Sequence, residues 1–294
     1  MSHTPVFTGS ATALVTPFSE NGINFETLGR MIDFQIENGT DAIVMCGTTG
    51  EAVTMHDSER AESISFVKKR AAGRVPIIAG TGTNETPRAV SLSKAAYDAG
   101  ADALLVVTPY YNKTSQHGMV KYFFDVADAT PLPNIIYNVP SRTSLNIQAT
   151  TLVEIAKHPN IVGIKEASAD ITQIMDMARL CPQVDIYSGN DDHVLAVLAA
   201  GGKGVITTVG NIIPQMVHDM CQAFFDGDID RCRKLQYRMN PLVKSIFSDV
   251  NPIPVKTALR HMGYDVGELR APLCDMLPEA EKALVARMRE YGLV

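Results

Sequence analysis

The stretch DAGADALLVVT (residues 98–108) decides the fold, because it joins a helix end to a buried strand through one glycine. Gly100 follows a helical pattern, at the position just past a helix where glycine is strongly preferred. The run that comes next is almost wholly apolar, without the alternation of a half-exposed strand. The same join recurs as ENGTDAIV (37–44) and LAAGGKGVIT (198–207). This repeated helix–glycine–strand join predicts parallel strands connected by helices.

Eight apolar runs follow one another along the chain, each followed by a loop and a helical pattern. Strands that are buried on both faces of a parallel sheet have this composition. A doubly wound sheet is the main alternative, but no GxGxxG follows the first run and the unit repeats evenly. We therefore predict an α/β fold, a (β/α)8 TIM barrel. The runs are SATALVT (10–16), DAIVMCG (41–47), VPIIAG (75–80), DALLVVT (102–108), NIIYNV (134–139), IVGIKE (161–166), VDIYSG (184–189) and KGVITTV (203–209).

The last part of the chain has a different pattern from the first. Residues 226–294 carry helical patterns without strands. We predict that residues 1–225 form the barrel, with the active site at the carboxyl ends of the strands, and that residues 226–294 form a C-terminal helical extension packed on it. Between the strands, residues 57–73 and 85–100 are typical of helices, the second with Thr86 as its cap and a proline in its first turn.

Composition excludes several classes of protein. The chain has 26 Lys plus Arg against 32 Asp plus Glu, a net charge of -6, which argues against nucleic acid or an anionic membrane as a partner. Its five cysteines form no CxxC pair, so no disulfide framework or metal site is expected. The N-terminus lacks a signal-peptide pattern, and no stretch has the length of a membrane span. We expect a cytoplasmic protein.

The strand NIVGIKEASAD (160–170) ends on a lysine, the side chain least often buried. Catalytic residues of a barrel lie at the carboxyl ends of its strands, which is where Lys165 falls. Among apolar walls its pKa should fall, and the free amine could attack a carbonyl to form a Schiff base. The alternative is a solvated lysine at a strand end.

Other strand ends supply candidate partners. Tyr137 could relay protons for such chemistry, or could be a core tyrosine. GTTGE (47–51) offers hydroxyl and backbone N–H groups suited to a carboxylate, and Thr48 could extend the relay to Tyr137. Arg142 could bind a second carboxylate, although a lone arginine more commonly forms a surface ion pair. In GNDDH (189–193) the two acids, Asp191 and Asp192, more commonly favour the start of the following helix, and no metal-binding motif accompanies them.

Seven motifs occur in order across nearly the whole chain: GTTGE, AGTGTN, TPYYNK, YNVPSRT, GIKEAS, SGNDD and NPIPVK. Together they resemble the dihydrodipicolinate synthase family, within the pyruvate-dependent class I lyase/aldolase superfamily. The resemblance implies a Schiff base between Lys165 and pyruvate and a homotetramer made of two tight dimers. It also implies that no metal or organic cofactor is needed, because the protonated imine is itself the electron sink.

The resemblance assigns roles to further residues. Thr48, Tyr137 and Tyr111 would form the proton relay, with Tyr111 reaching into the neighbouring subunit's site. Thr48 and Thr49 would hold the carboxylate of pyruvate. Arg142 would receive the carboxylate of aspartate semialdehyde. Three more positions match residues that line the same pocket: Gly189, Ile206 and Asn251.

Close relatives of that family share the Schiff base and are the alternative function: N-acetylneuraminate lyase and the 2-keto-3-deoxy-sugar-acid aldolases. The adjacent threonines Thr48 and Thr49, the tyrosines of TPYYNK and Arg142 favour the synthase. Ser144 departs from the family, which often has glycine there. We expect a small effect, because serine adds little volume.

Feedback by lysine is expected to be weak or absent. Asn84 and Tyr110 match a regulatory lysine site of the family, but three nearby positions, Asp57, Arg60 and Arg88, carry residues that differ from lysine-sensitive members. An arginine at position 88 in place of an acid would repel the ammonium group of lysine.

Two functions of other classes remain open from the residues alone. A barrel that binds small carboxylates without turnover would keep GTTGE and Arg142 but have no use for Lys165 and Tyr137 together. Reduction with borohydride in the presence of pyruvate separates the two, since only an imine gives a permanent adduct. A metal-dependent aldolase would lose its activity in a chelator.

Overall fold

The eight apolar runs form eight parallel strands that close into a barrel, which confirms the predicted fold. The computed structural model describes residues 4–294. Each strand pairs with the strands before and after it in the chain, and the first pairs with the last to close the ring. The strands are β1 (Gly9–Ala13), β2 (Ala42–Met45), β3 (Ile77–Gly80), β4 (Ala103–Val107), β5 (Asn134–Asn138), β6 (Ile161–Glu166), β7 (Asp185–Ser188) and β8 (Gly204–Thr207).

Helices follow the strands and cover the outside of the barrel, where their apolar faces share a core with the strands. The predicted boundary between residues 225 and 226 lies between the helices Pro214–Phe225 and Ile229–Ile246, and the division into barrel and extension stays a prediction. Among residues 4–294, no helix is long and apolar enough to cross a membrane. The helices are α1 (Phe25–Glu37), α2 (Asp57–Ala71), α3 (Thr86–Asp98), α4 (Gln116–Ala127), α5 (Pro140–Thr143), α6 (Ala149–Ile155), α7 (Ile171–Leu180), α8 (Val194–Ala199), α9 (Pro214–Phe225), α10 (Ile229–Ile246), α11 (Ile253–His261) and α12 (Pro278–Glu290).

The start of α3 differs from the sequence-based expectation. Thr86 is the first helical residue, and Glu85 occupies the N-cap position without a capping side-chain bond. The hydroxyl of Thr83 accepts the N–H of Glu85 instead, at 3.2 Å. The cap prediction was therefore wrong by one residue, because a neighbouring threonine satisfies the turn before the helix.

The interior of the barrel is filled by aliphatic side chains and three aromatic rings, those of Phe7, Tyr137 and Tyr187. Phe7, which precedes β1, stacks on Tyr187 of β7 with ring centroids 4.3 Å apart. The Tyr187 hydroxyl donates to the carbonyl oxygen of Phe7 at 2.8 Å, so the buried phenol is satisfied. The interior is thus a packed core, and side-chain chemistry is confined to the strand ends and their loops.

Candidate active site

Lys165 is buried at the carboxyl end of β6, with 6 % of its surface exposed. It stands opposite Tyr137 of β5 in the strand register, and its Nζ lies 4.4 Å from the centroid of the Tyr137 ring. Side chains alternate along a strand, so the next residue faces the other way. Glu166 accepts hydrogen bonds from Asn138 Nδ2 at 2.9 Å and from the N–H of Ser168 at 2.6 Å. The lysine therefore has no ion pair with the carboxylate beside it in sequence.

Burial lowers the pKa of Lys165 to about 8 from an ordinary value of 10.5. The charge of Asp191 opposes this shift, and the Arg142 guanidinium adds to it. A lower pKa makes the unprotonated amine available near neutral pH, which is the form that attacks a carbonyl. The low solvation of the ammonium group predicted from the sequence is thus present in the structure.

Tyr137 is buried beside this lysine, and the side chain of Thr48 interacts with its hydroxyl. Burial raises the pKa of Tyr137 to about 12, with Arg142 and the Thr48 hydroxyl acting in the opposite direction. The phenol therefore keeps its proton at neutral pH. A protonated phenol that contacts a second hydroxyl can donate a proton and be reloaded through its partner.

A second group of polar contacts joins three loops at the same end of the barrel. Asn251 Nδ2 donates to the Thr49 hydroxyl at 3.0 Å, and Arg142 Nη2 donates to the carbonyl oxygen of Asn251 at 3.1 Å. The hydroxyls of Thr49 and Thr208 are 3.4 Å apart. The guanidinium of Arg142 is thus held at the edge of the site while the residue remains exposed to solvent.

These groups surround a cavity of about 190 Å³. This volume suits a small organic acid, since drug-sized ligands occupy larger pockets of ~300 Å³ or more. A neighbouring cavity of about 260 Å³ shares Thr48, Tyr137 and Arg142 with it. The lining of the first cavity includes Thr48, Thr49, Tyr137, Arg142, Lys165, Gly189, Asn190, Thr208 and Asn251.

Comparison with known proteins agrees with this geometry. A family model described as the dihydrodipicolinate synthetase family matches residues 6–290. The chain belongs to this family. It is similar to proteins named 4-hydroxy-tetrahydrodipicolinate synthase from Thermoanaerobacter sp. (strain X514), 52% identical over 99% of this chain and 98% of the relative, and from Caldicellulosiruptor bescii, 51% identical over 98% of each. The solved dihydrodipicolinate synthase of Aquifex aeolicus superposes with a TM-score of 0.95 at 43% identity, covering 98% of this chain and 99% of that one.

Of the remaining predicted family residues, Gly189 lines the cavity and Ile206 does not. Ile206 is buried in the barrel interior, in the same apolar cluster as Tyr137. The N–H of Gly189 donates to the carbonyl oxygen of Glu166 at 2.7 Å. A Cβ at position 189 would lie 2.6 Å from the Cβ of Ala167, so only glycine lets the end of β7 approach β6 this closely.

Tyr111 lies outside the cavity of its own chain. It follows β4 with a φ of 68° and is 91% exposed. Its neighbour Tyr110 is half-buried and lines the second cavity. The carbonyl oxygen of Asn84 accepts a hydrogen bond from Asn112 Nδ2 at 2.9 Å, which ties the two loops together.

The residues that differ from lysine-sensitive members lie near this second cavity. Arg60 is buried and lines it, and burial lowers the pKa of Arg60. Arg88 Nη2 forms an exposed ion pair with Asp57 at 3.0 Å. The second cavity thus has the cationic Arg60 in its wall.

The loop after β5 is a single helical turn, α5, with Pro140 at its first position. Arg142 is thereby held on a helical turn. Ser144 ends this turn with a φ of 56°, the left-handed region that favours glycine. The cost of serine here comes from backbone conformation, about 1–2 kcal/mol, more than from side-chain volume.

Sequence reasoning assigned Asp191 to the wrong element. Its carboxylate accepts the N–H groups of Thr208 at 3.1 Å and Val209 at 2.8 Å, after β8. The cap of α8 is His193, which makes no capping side-chain bond. The one signal in the sequence was that two adjacent acids follow a strand end. In the structure Asp191 is buried and Asp192 is exposed.

A buried ion pair also escaped prediction. Lys256 Nζ contacts Glu51 Oε1 at 2.7 Å, and neither side chain is exposed. Glu51 Oε2 accepts the N–H of Arg270 at 2.8 Å, and Lys256 donates to the carbonyl oxygen of Glu268 at 2.8 Å. The pair fixes the end of GTTGE, which carries Thr48 and Thr49, to the C-terminal helices. Both residues belong to quoted motifs, but nothing local links them.

Proposed function

We propose that this protein is a 4-hydroxy-tetrahydrodipicolinate synthase, a metal-independent Schiff-base lyase that condenses pyruvate with L-aspartate 4-semialdehyde in diaminopimelate and lysine biosynthesis. The observation that carries the proposal is the buried amine of Lys165 over the ring of Tyr137, in a cavity sized for a small acid. Membership of the family and full-length relatives of that name at 52% identity support it.

In the proposed reaction, the free amine of Lys165 attacks the C2 carbonyl of pyruvate. The resulting carbinolamine loses water to give a protonated imine, and loss of a methyl proton gives an enamine. The enamine carbon attacks the aldehyde of the semialdehyde. The amine of the new product chain then displaces Lys165 and closes the ring, which regenerates the enzyme.

The neighbouring residues take roles that follow from their contacts. Tyr137 and Thr48 move protons during carbinolamine formation and loss of water, since their hydroxyls interact. Thr49, held by Asn251, binds the carboxylate of pyruvate together with Thr48. Arg142 binds the carboxylate of the semialdehyde. Gly189 and Ile206 shape the pocket through packing.

Tyr111 completes the relay in a neighbouring copy of the chain in this proposal, within a homotetramer of two tight dimers. Its 91% exposure leaves it available for such a contact. Sedimentation velocity gives the size of the assembly. Activity of Tyr111→Phe mixed with Lys165→Ala tests whether the tyrosine acts across chains, because hybrid dimers would regain one complete site.

Weak or absent feedback by lysine belongs to the same proposal. A solved relative from Cyanidioschyzon merolae, 37% identical, was determined with lysine bound. In this chain the cationic Arg60 and Arg88 disfavour lysine beside Tyr110 and Asn84. Half-maximal inhibition at low millimolar lysine or below would contradict this. The proposed location is the cytoplasm, in keeping with five free cysteines.

The test is pyruvate consumption with and without aspartate semialdehyde, at neutral pH and without added metal. We expect consumption that requires the semialdehyde and is lost in Lys165→Ala. Lys69→Ala, at an exposed position, is the control. If pyruvate were trapped on Lys165 by borohydride but not consumed, the second substrate would be wrong, and a sugar-acid aldolase would be tested next.

A further inference from the structure

Asp191 is a buried carboxylate that the proposed mechanism leaves without a role. The residue is 2 % exposed, although it lies in a loop and its neighbour Asp192 is exposed. Burying a carboxylate is costly unless other groups stabilise its charge. A fully buried acid in the loop after β7, at the catalytic end of the barrel, therefore needs an explanation.

One oxygen of this carboxylate is held firmly and the other is not. Oδ2 accepts the N–H groups of Thr208 and Val209, at 3.1 and 2.8 Å. Oδ1 is buried and makes no hydrogen bond of normal geometry among residues 4–294, while the Thr207 hydroxyl interacts with the carboxyl group and lowers its pKa. The residue just before it, Asn190, lines the cavity of Lys165, and so does Thr208. The carboxylate thus sits directly behind two residues of the cavity wall.

The charged and titratable groups around Lys165 make Asp191 distinctive. On β5 and α5 the neighbours are Tyr137, a neutral phenol, and Arg142, a cation. On its own strand Glu166 is turned away and hydrogen-bonded elsewhere. On β7 its register partner Tyr187 donates its hydroxyl to a backbone carbonyl in the barrel interior.

Among these groups, Asp191 is the one whose negative charge attracts the ammonium group of Lys165. This charge raises the pKa of Lys165 against the effect of burial. Burial raises the pKa of Asp191, and the Thr207 hydroxyl, the N–H groups of Val209 and Thr208 and the charge of Lys165 oppose that rise. The interaction is reciprocal, as it must be for two charges that stabilise each other.

We propose that Asp191 is the fixed counter-ion of the protonated imine on Lys165, a positioning residue that acts on the intermediate without touching the substrate. This inference rests on the proposed function. Loss of water from the carbinolamine leaves a positive charge on the nitrogen, in a cavity that also contains Arg142. A carboxylate that is already oriented stabilises that charge with little reorganisation. The proton stays on the imine nitrogen, and Asp191 takes part in no bond that forms or breaks.

The test compares Asp191→Asn with Asp192→Asn. An asparagine keeps a side-chain oxygen for the N–H groups of Thr208 and Val209, and its amide occupies the site of Oδ1. The rate of adduct formation with pyruvate and cyanoborohydride is measured by mass spectrometry from pH 5 to 10, together with kcat. The wild-type profile is expected to rise with a midpoint near the Lys165 pKa of about 8.

In Asp191→Asn, loss of the negative charge should move this midpoint to lower pH by about half a unit to one unit. It should also weaken pyruvate binding and lower kcat by about tenfold, since the positive imine loses its counter-ion. Asp192→Asn should match the wild type in midpoint pH, pyruvate binding and kcat. If Asp191→Asn does not fold, Asp191→Ser, whose hydroxyl can still accept an N–H, is measured in the same way with the same expectation.

A variant that loses kcat while its midpoint stays within 0.2 units of the wild type, a tolerance of about 0.3 kcal/mol, would overturn the proposal and leave Asp191 a structural role. A wild type that forms no adduct at all would instead overturn the proposed function. The two failures are therefore distinct.

Discussion

Lys165 and Lys256 are both buried in this molecule, and each holds its amine over an aromatic ring. The Nζ of Lys165 lies 4.4 Å from the centroid of Tyr137, and that of Lys256 lies 4.5 Å from the centroid of Phe18. Burial is the main cause that lowers the pKa of both. By these measures the two sites are alike.

They differ in what compensates the charge. Lys256 pairs with Glu51 at 2.7 Å, which opposes the effect of burial on its pKa. Lys165 has no ion pair or hydrogen bond at its amine among the described residues, and Asp191 acts on it only through its charge. Burial alone therefore does not make a lysine reactive. Reactivity needs burial together with the absence of a directly bonded partner.

The largest expected difference between the two lysines is in catalysis. Lys165→Met should lower the rate of pyruvate consumption by about 10⁴-fold or more, as removal of a nucleophile does in other enzymes. Initial rates and the mass of the borohydride-treated protein measure the loss. Lys69→Met is the exposed control. Substantial turnover in Lys165→Met would show that another group forms the imine.

The same substitution at the other lysine should act on stability. Lys256→Met leaves Glu51 buried without its partner, and we expect the free energy of unfolding to fall by about 3–5 kcal/mol. Denaturation by urea measures it. Lys157→Met, which breaks an exposed ion pair with Glu154, should change the free energy of unfolding by less than about 1 kcal/mol. In the double variant Glu51→Gln/Lys256→Met part of the loss should be recovered, and an unchanged loss would mean that packing, not charge, is at stake.

Tyr137→Phe keeps the ring beneath Lys165 but removes the hydroxyl that contacts Thr48. We expect kcat to fall by about 10²–10³-fold, within the range of general acid–base effects. Adduct formation with pyruvate should persist, because the amine is still buried. Tyr97→Phe, at a half-exposed site, should leave kcat unchanged. A Tyr137→Phe enzyme of normal kcat would remove the phenol from the relay.

The smallest expected effect is that of Lys165→Met on the free energy of unfolding, and its sign is opposite to that of Lys256→Met. The folded pKa of Lys165, about 8, lies below its ordinary value of 10.5, so the unfolded chain binds more protons between these pH values. The buried Lys165 therefore destabilises the folded state fully below pH 8, and this destabilisation disappears as pH rises to 10.5. Lys165→Met should therefore stabilise the protein at pH 7 by about 1–3 kcal/mol. Urea denaturation at pH 7 and pH 10 measures the difference, and a less stable variant at pH 7 would contradict it.

The sequence predicts those residues of the site whose position depends on local pattern. Lys165 could be identified because an apolar run ends on it, and a parallel barrel collects such ends at one face. Thr48 and Tyr137 follow from the same rule. The strand 161–166 coincides with the predicted run, since its apolar residues continue up to the lysine.

What the sequence does not predict depends on contacts between distant residues. Glu51 and Lys256 are 205 positions apart, and neither motif specifies the other. The bonds of Asp191 to the turn after β8 are of the same kind, because local pattern favours a helix cap where tertiary structure supplies other N–H groups. The exposure of Tyr111 is likewise a property of the folded loop.

The bonds from Asn251 and Lys256 to the GTTGE loop also bear on the order in which the protein matures during synthesis. The eighth strand ends at Thr207, so the whole barrel sheet is translated before either residue leaves the ribosome. Until then, Thr49 lacks its contact with Asn251, and Glu51 lacks its contact with Lys256. We expect the catalytic loop to be completed, and enzymatic activity to appear, only when translation is almost complete.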